Sequence, residues 1–195
     1  TPKEYGVVGI MQVFIIFFST VAEAGIGTAI IQNKSLDDND YNVLFNYSCI
    51  FSVIMALVFG MFGGILAKVY NNPIYNILTW VQGFSIIFNG FNIVPSAILS
   101  KMKKFKTINL NMVFSNFIAG IAGVSMALLN FGVYSLIFNS IVYSITFFIL
   151  NKYHINLYFS KNFNLSSLKK VWYFSKHSFG FNFINYFSRN ADNML

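Results

Sequence analysis

Polar side chains recur at helical spacing inside two otherwise apolar segments of the chain. In the first segment the spacing is three, four, three and four residues, and the members are Gln82, Ser85, Asn89, Asn92 and Ser96. In the second segment the stripe includes two charges, and the members are Ser178, Asn182, Asn185, Arg189 and Asp192. Such spacing places each set on one face of a helix. Because polar groups are costly in lipid, two stripes indicate a shared polar cavity, with hydrogen bonding between helices as the alternative.

Glu23 is an acid inside the first apolar stretch. It stands nine residues before Gln32, which is roughly 13 Å along a helix and near the middle of a membrane. An acid at that depth is either protonated or paired with a cation. Glu23 is therefore a candidate for proton or sodium coupling or for an anchor of Arg189, and a purely structural pair or a neutral buried acid is the alternative. Gly25 and Gly27 follow it and could break the helix or allow close helix packing.

Arg189 is the candidate for binding an anionic substrate, because its guanidinium keeps its charge and binds phosphate through two hydrogen bonds. Asp192 lies three residues later on the same face, so a structural pair between the two is the alternative. The chain has one cysteine, Cys49, and two histidines with no cysteine nearby, so we predict no metal site. No Ser–His–Asp or paired-carboxylate pattern is visible, and the sequence predicts no catalytic residues and no enzyme.

The segment 100–106 concentrates positive charge, and its lysines are Lys101, Lys103, Lys104 and Lys106. They form a candidate basic patch at the membrane surface for anionic lipid headgroups or a diphosphate. The plainer interpretation, which we favour, is that they determine which side of the membrane the loop occupies.

The elements that must position these residues follow from composition. Of the 195 residues 56% are hydrophobic and only 10% are charged, against roughly 25% charged in soluble proteins. This composition excludes a disordered chain, a nucleic-acid-binding domain and most soluble enzymes. Five apolar stretches of helical length occupy residues 6–32, 41–69, 74–99, 107–129 and 133–153. Since a helix satisfies its own backbone in lipid, the sequence predicts an all-α, polytopic transmembrane helix bundle.

We divide the chain into three parts. Residues 1–153 carry the five predicted membrane helices, and residues 178–195 begin a sixth that is cut off, so the chain is interpreted as a fragment. The linker 154–177 has Leu165, Leu168 and Trp172 at helical spacing beside lysines. That pattern indicates an amphipathic helix on the membrane surface, or equally the solvated start of the next span. Ten of the 13 basic residues fall on one side when the spans alternate, which predicts that side to be cytoplasmic.

Five local motifs occur in a characteristic order. They are TPKEYG at 1–6, AEAGIGTAIIQNK at 22–34, VPSAILSKMKKFK at 94–106, NFGVYSL at 130–136 and FSRNADNML at 187–195. In this order they resemble the Wzx-type polysaccharide flippases, especially the colanic-acid-type branch of lipopolysaccharide biosynthesis proteins. These belong to the multidrug/oligosaccharidyl-lipid/polysaccharide exporter superfamily. One departure is Glu23, where relatives more often have aspartate.

The resemblance implies a fragment of a transporter with about 12 to 14 helices in two bundles around a cavity. Residues 1–153 would lack the first helix of the N-terminal bundle, and residues 178–195 would open the C-terminal one. The implied activity is translocation of a polyprenyl-diphosphate-linked oligosaccharide across the bacterial cytoplasmic (inner) membrane, for O-antigen, capsule or exopolysaccharide synthesis. Amides would suit sugar hydroxyls, and Arg189 would suit the diphosphate. Implied partners are this substrate, membrane lipids and a polysaccharide polymerase and glycosyltransferase assembly, with no nucleic acid and no cofactor beyond proton or sodium coupling.

Three other functions remain open on the sequence. A drug or cation antiporter of the same superfamily would prefer an anionic cavity. A membrane enzyme of glycan assembly would expose catalytic groups in large outward loops, whereas the turns here are short. A non-transporting scaffold would not need two stripes rich in amides and charges.

Overall fold

The chain folds into helices joined by short turns. A computed structural model describes residues 2–23, 25–159, 166–172, 175, 176, 180 and 184, and no strand occurs in this part. The helices are α1 (Pro2–Glu23), α2 (Ile26–Gln32), α3 (Asp38–Val69), α4 (Ile74–Lys101), α5 (Phe105–Leu128) and α6 (Val133–Tyr153). Within the described residues, five segments are long and apolar enough to cross a membrane; they lie in α1, α3, α4, α5 and α6. The predicted all-α class and membrane-type bundle are confirmed.

The helix boundaries differ slightly from the predicted ones because of end-capping residues. Asp37 accepts a hydrogen bond from the Asp40 backbone N–H at 2.7 Å, and Asp40 accepts one from the Asp37 backbone N–H at 3.2 Å. This reciprocal capping box starts α3 at Asp38, three residues before the apolar run. The polar gap between the predicted stretches 6–32 and 41–69 is therefore shorter, since Asp38 and Asp40 belong to the first turn of a helix.

Three helices end in the same way. The second residue after each has a left-handed backbone: Asn71 (φ 48°), Lys103 (φ 57°) and Asn130 (φ 62°). The next backbone N–H then bonds the carbonyl five residues back, at 2.9 to 3.2 Å. This Schellman geometry satisfies carbonyls that the helix leaves open and reverses the chain within a few residues. It accounts for the short connections between α3, α4, α5 and α6.

The helix α4 is the centre of the bundle, because it packs against all five other helices. Its closest neighbour is α3, and small residues form the seam between them. A Cβ added at Gly63 or Gly90 would collide with Thr79 or Ser52 across the seam. The Ser48 hydroxyl donates to the Gly90 carbonyl at 2.6 Å. Backbones at this separation are typical of membrane helices, which gain contact area from small residues.

The chain after α6 returns to one end of the bundle, which we call the basic end because the loop 102–104 lies there. The Tyr158 N–H donates to the Asn42 side chain at 2.9 Å. Residues 166–172 are helical, and Val171 is fully buried in a cluster with Leu36 and Leu157. The described part of the predicted amphipathic helix therefore contacts protein as well as presenting an exposed Trp172. The boundaries 154–177 and 178–195 stay predictions.

An ion pair fastens this helical segment to the bundle. The Lys170 ammonium lies 2.7 Å from the Asp40 carboxylate, and the Asn33 side-chain amide donates to the Lys170 carbonyl at 3.0 Å. The hydrogen bond to Asp40 raises the pKa of Lys170 above its ordinary value. Asp40 thus both caps α3 and holds the segment that leaves the bundle.

We expect Gly90→Ala to destabilise the bundle by about 1 to 3 kcal/mol, because its methyl group would overlap the Ser52 side chain. The measurement is the apparent midpoint of thermal unfolding in detergent. Gly64→Ala is the matched control, since a Cβ there meets only the Asn76 oxygen at 3.7 Å. Ser52→Gly combined with Gly90→Ala should restore the midpoint; a double variant as unstable as the single one would contradict this packing.

We expect Lys170→Met to release the segment 166–172, because methionine keeps the apolar stem but cannot pair with Asp40. Limited chymotrypsin cleavage at the exposed Trp172 is the measurement, and Lys169→Met is the control for loss of one surface charge. A raised pKa means that the pair contributes stability at neutral pH and loses it as pH rises through that pKa. Wild-type protection should therefore persist at neutral pH and fall under strongly alkaline conditions, whereas equal cleavage of both variants would show that the pair does not hold the segment.

Candidate functional site

Glu23 lies where the first membrane span changes from one helix to another. The helix α1 ends at Glu23, Gly25 has a left-handed backbone with φ 70°, and α2 begins at Ile26. Glycine adopts that conformation without the steric penalty of a side chain. Of the two alternatives for Gly25, a helix break and close helix packing, the structure has the break. A Cβ added at Gly27 would stand 3.1 Å from the Glu23 carboxylate oxygen. The absence of a side chain at Gly27 therefore leaves room for the acid.

Two cavities adjoin at this break. The cavity toward the basic end has a volume of about 300 Å³, and its polar lining residues are Glu23, Thr28, Asn89, Asn92, Ser96 and Ser100. The cavity toward the other end has a volume of about 360 Å³, and its polar lining residues are Gln12, Ser19, Thr20, Glu23, Asn89, Ser140 and Tyr143. Glu23, Asn89 and Ile93 line both. The two cavities together form a polar route along the helices, and the Glu23 carboxylate and the Asn89 amide lie where one cavity meets the other.

Among the described residues, Glu23 is the one charged side chain that lines these two cavities. Among the described residues, its carboxylate has no hydrogen-bond donor and no cationic partner. The Ser19 hydroxyl, one turn earlier in α1, is buried and likewise lacks a partner in this part of the chain. Polar groups left open in this way can bind a proton, a cation or the polar groups of a substrate.

The predicted stripe on α4 divides into two functions. The Gln82 amide donates to the Ser85 and Ser140 hydroxyls, each at 3.0 Å, and thereby joins α4 to α6. Gln82 is buried and lines neither cavity. By contrast Asn89 lines both cavities, and Asn92 lines the one toward the basic end. Gln82 therefore bonds between helices, Asn89 lines the cavities, and Asn92 does both, because its oxygen accepts a bond from α6.

The second stripe, with Asn182, Asn185, Arg189 and Asp192, lies outside the described residues. Its part in the site stays a prediction.

The four lysines of the basic patch are not equivalent. The Lys101 ammonium donates to the Asn33 carbonyl and, at 2.8 Å, to the Tyr41 hydroxyl. It joins the end of α4 to the connection between α2 and α3. The remaining lysines are exposed; they are Lys103, Lys104 and Lys106. Within the part of the chain that the structure describes, these three make no such bonds, and they can meet anionic groups at the membrane surface.

The structure adds residues that sequence reasoning missed. Asn151 in α6 and Asn111 in α5 are buried and bonded to each other at 2.8 Å, and Asn151 also bonds Asn92 at 2.9 Å. Gln12, Ser19 and Ser140 line a cavity. Their spacing was an available signal, because Gln12, Ser19 and Glu23 are seven and four residues apart on one face of α1. Ser140, Ser144 and Asn151 likewise share one face of α6. Such spacing does not identify the partner on another helix.

A family model described as "Polysaccharide biosynthesis protein" matches residues 1–195. The chain belongs to this family. No curated protein and no solved structure matches the chain. Family membership and five membrane-capable helices together identify a multi-pass membrane protein with a role in polysaccharide synthesis or export.

In this polysaccharide biosynthesis protein no group of three His, Cys, Asp or Glu side chains within the described residues could hold a metal ion. The family match over residues 1–195 confirms the polysaccharide biosynthesis family of the resemblance. The narrower flippase branch is a matter of proposal.

We expect thiol labelling to distinguish the two cavities in full-length protein whose buried Cys49 has been replaced by alanine. Ser96→Cys should react with a membrane-impermeant thiol reagent added on the basic side, and Gln12→Cys with reagent added on the opposite side, because reaction requires access. Ser85→Cys is the control, since Ser85 is fully buried. Equal rates at Ser96→Cys and Ser85→Cys would contradict the cavity.

Proposed function

We propose that the protein translocates a polyprenyl-diphosphate-linked oligosaccharide repeat unit across the bacterial cytoplasmic membrane, for O-antigen, capsule or exopolysaccharide synthesis. The observation that carries the proposal is the divided polar route between the helices, which meets at Glu23 and Asn89. A sugar and a diphosphate need such a route, whereas the lipid tail can stay in the bilayer. The family supplies the context of polysaccharide synthesis or export.

The lining of the route suits a glycan. Amides and hydroxyls both donate and accept hydrogen bonds, and these groups make up most of the polar lining of both cavities. Because the route lies among long apolar helices, such groups can exchange hydrogen bonds with sugar hydroxyls that would otherwise lose water. The negative diphosphate needs a cation, and Arg189 is the proposed residue, with Asp192 beside it.

The division at Glu23 supports alternating access. Two cavities that share one carboxylate can open in turn to opposite sides if one bundle rocks against the other. A carboxylate without a cationic partner can take up a proton or sodium ion from one side and release it to the other. Glu23 is therefore the proposed coupling residue, and the basic end is proposed to face the cytoplasm.

The surroundings of the basic end suit partners in the same pathway. Exposed Lys103, Lys104 and Lys106 lie where the diphosphate of a lipid-linked precursor would approach. We place anionic membrane lipids there, together with a glycosyltransferase that delivers the precursor. A polysaccharide polymerase would receive it on the other side.

A drug or cation antiporter is the second candidate, and one observation favours it. The charged side chain that lines both cavities is an acid, which suits a cationic substrate. The family description favours the polysaccharide function instead.

The test uses the full-length gene in its host. On deletion, we expect lipid-linked oligosaccharide to accumulate on the cytoplasmic face, and wild type to clear it. Glu23→Gln should slow clearance by a factor between roughly 5 and 150, which is the fold-change that corresponds to typical coupling free energies between two sites. Asp38→Asn is the matched control, because it removes one acid at an exposed position outside both cavities.

The outcomes separate the candidates. Clearance that fails with Glu23→Gln and Arg189→Ala but persists with Asp38→Asn supports translocation through this route. Unchanged intermediate on deletion, together with greater sensitivity to cationic drugs, would favour the antiporter.

A further inference from the structure

Three buried amides on three helices form a continuous hydrogen-bonded series. Asn111 of α5 donates to the Asn151 side-chain oxygen at 2.8 Å, and Asn151 of α6 donates to the Asn92 side-chain oxygen at 2.9 Å. The exposed fractions are 6% for Asn111, 0% for Asn151 and 8% for Asn92. We call these three residues the amide relay.

The amide relay touches the cavity at one end only. Asn92 lines the cavity toward the basic end, whereas Asn111 and Asn151 line neither cavity. The Asn151 side-chain oxygen accepts a hydrogen bond from Asn111, and its amino group donates one to Asn92, so both polar groups of this side chain are already bonded. It cannot contact a substrate, and its effect on the site must pass through Asn92.

The direction of these hydrogen bonds determines which polar group of the Asn92 side chain can bind a ligand in the cavity. Because its oxygen accepts from Asn151, its amino group is left as the group that can face the cavity. No described acceptor engages that amino group. The Asn92 amide cannot rotate by half a turn without breaking the hydrogen bond to its oxygen. Such a rotation would leave the amino group of buried Asn151 unpaired, which costs free energy.

We propose that Asn151 is a positioning residue, supported by Asn111, which fixes the Asn92 amide so that its N–H groups face the cavity and bind acceptor oxygens of the cargo. The inference deepens the proposed function and rests on it for the identity of the cargo. Acceptor oxygens occur both on a diphosphate and on a sugar, so the shared chemistry is a hydrogen-bond acceptor. The relay also makes this donor depend on the packing of α5 and α6 against α4.

The experiment measures binding to purified full-length protein in detergent with two probes, inorganic pyrophosphate and maltotriose. Wild type should bind at least one of them, and that probe identifies which oxygens Asn92 meets. Asn92→Ala and Asn151→Ala should each weaken its binding roughly two- to tenfold, the range for one hydrogen bond. Since both act through one donor, the double variant should bind no more weakly than Asn92→Ala alone.

Asn139→Ala is the matched control. Asn139 is also an α6 asparagine bonded to α5, through its amide to the Ala119 carbonyl at 2.8 Å, but it lines neither cavity. Its removal should lower the thermal midpoint and leave probe binding at the wild-type level. If Asn151→Ala cannot be recovered folded, Asn111→Ala replaces it in the same cycle, because it breaks the far bond of the relay.

Three results would overturn the proposal: a wild type that binds neither probe, a relay variant that binds like wild type, or equal weakening by Asn139→Ala. These results are distinct from failure of the proposed function. Translocation is tested in cells by clearance of the lipid-linked intermediate, and a protein that binds a probe through the relay yet clears nothing would contradict translocation alone.

Discussion

A bilayer contains no water to satisfy a polar group, and this constraint organises the whole structure. An amide or hydroxyl on a membrane helix must bond a carbonyl of its own helix, as Ser115 and Thr146 do, find a partner on another helix, or face a polar cavity. The central helix α4 contains both solutions. Gln82 bonds across to Ser140 of α6, whereas Asn89 faces two cavities. Asn92 does both at once, because its oxygen is held by Asn151 while the residue lines a cavity.

Small residues determine where α4 packs closely and where space remains beside it. Glycines on α3 and α4 bring these two backbones together, so that an added Cβ at Gly63 or Gly90 would overlap a neighbouring side chain. The opposite arrangement occurs at the first span. There Gly25 interrupts the helix, and Gly27 leaves space that the Glu23 carboxylate occupies. Small residues thus serve two purposes, closing the seam at α3 and opening the site beside α2.

The sequence predicts most of the fold because membrane spans have a fixed minimum length and helix ends carry recognisable residues. The five spans and the helical face shared by Gln82 and Asn89 follow from length and spacing, whereas at Gly25 the sequence left a helix break and close packing as alternatives. Spacing says which residues share a face but not what lies opposite, so the bond from Gln82 to Ser140 was not predictable. Asn151 was missed for the same reason. Its importance comes from partners on two other helices, which the face that it shares with Ser140 and Ser144 on α6 does not identify.

The basic end joins the site to the chain that leaves the bundle. The cavity lined by Asn92 extends there to Ser100, one residue before Lys101. Lys101 bonds the Asn33 carbonyl and the Asn33 side chain bonds the Lys170 carbonyl, while Lys170 pairs with Asp40 at the start of α3. The ends of α2, α3 and α4 are therefore tied to the segment 166–172 through side chains rather than through the backbone alone. Side-chain bonds of this kind can exchange for bonds to water at the membrane surface, so the basic end can loosen without unfolding a helix. The glycine seam between α3 and α4 has no such exchange available and cannot loosen in this way. A movement that changes access to the cavity consequently costs less free energy at the basic end than within the bundle core.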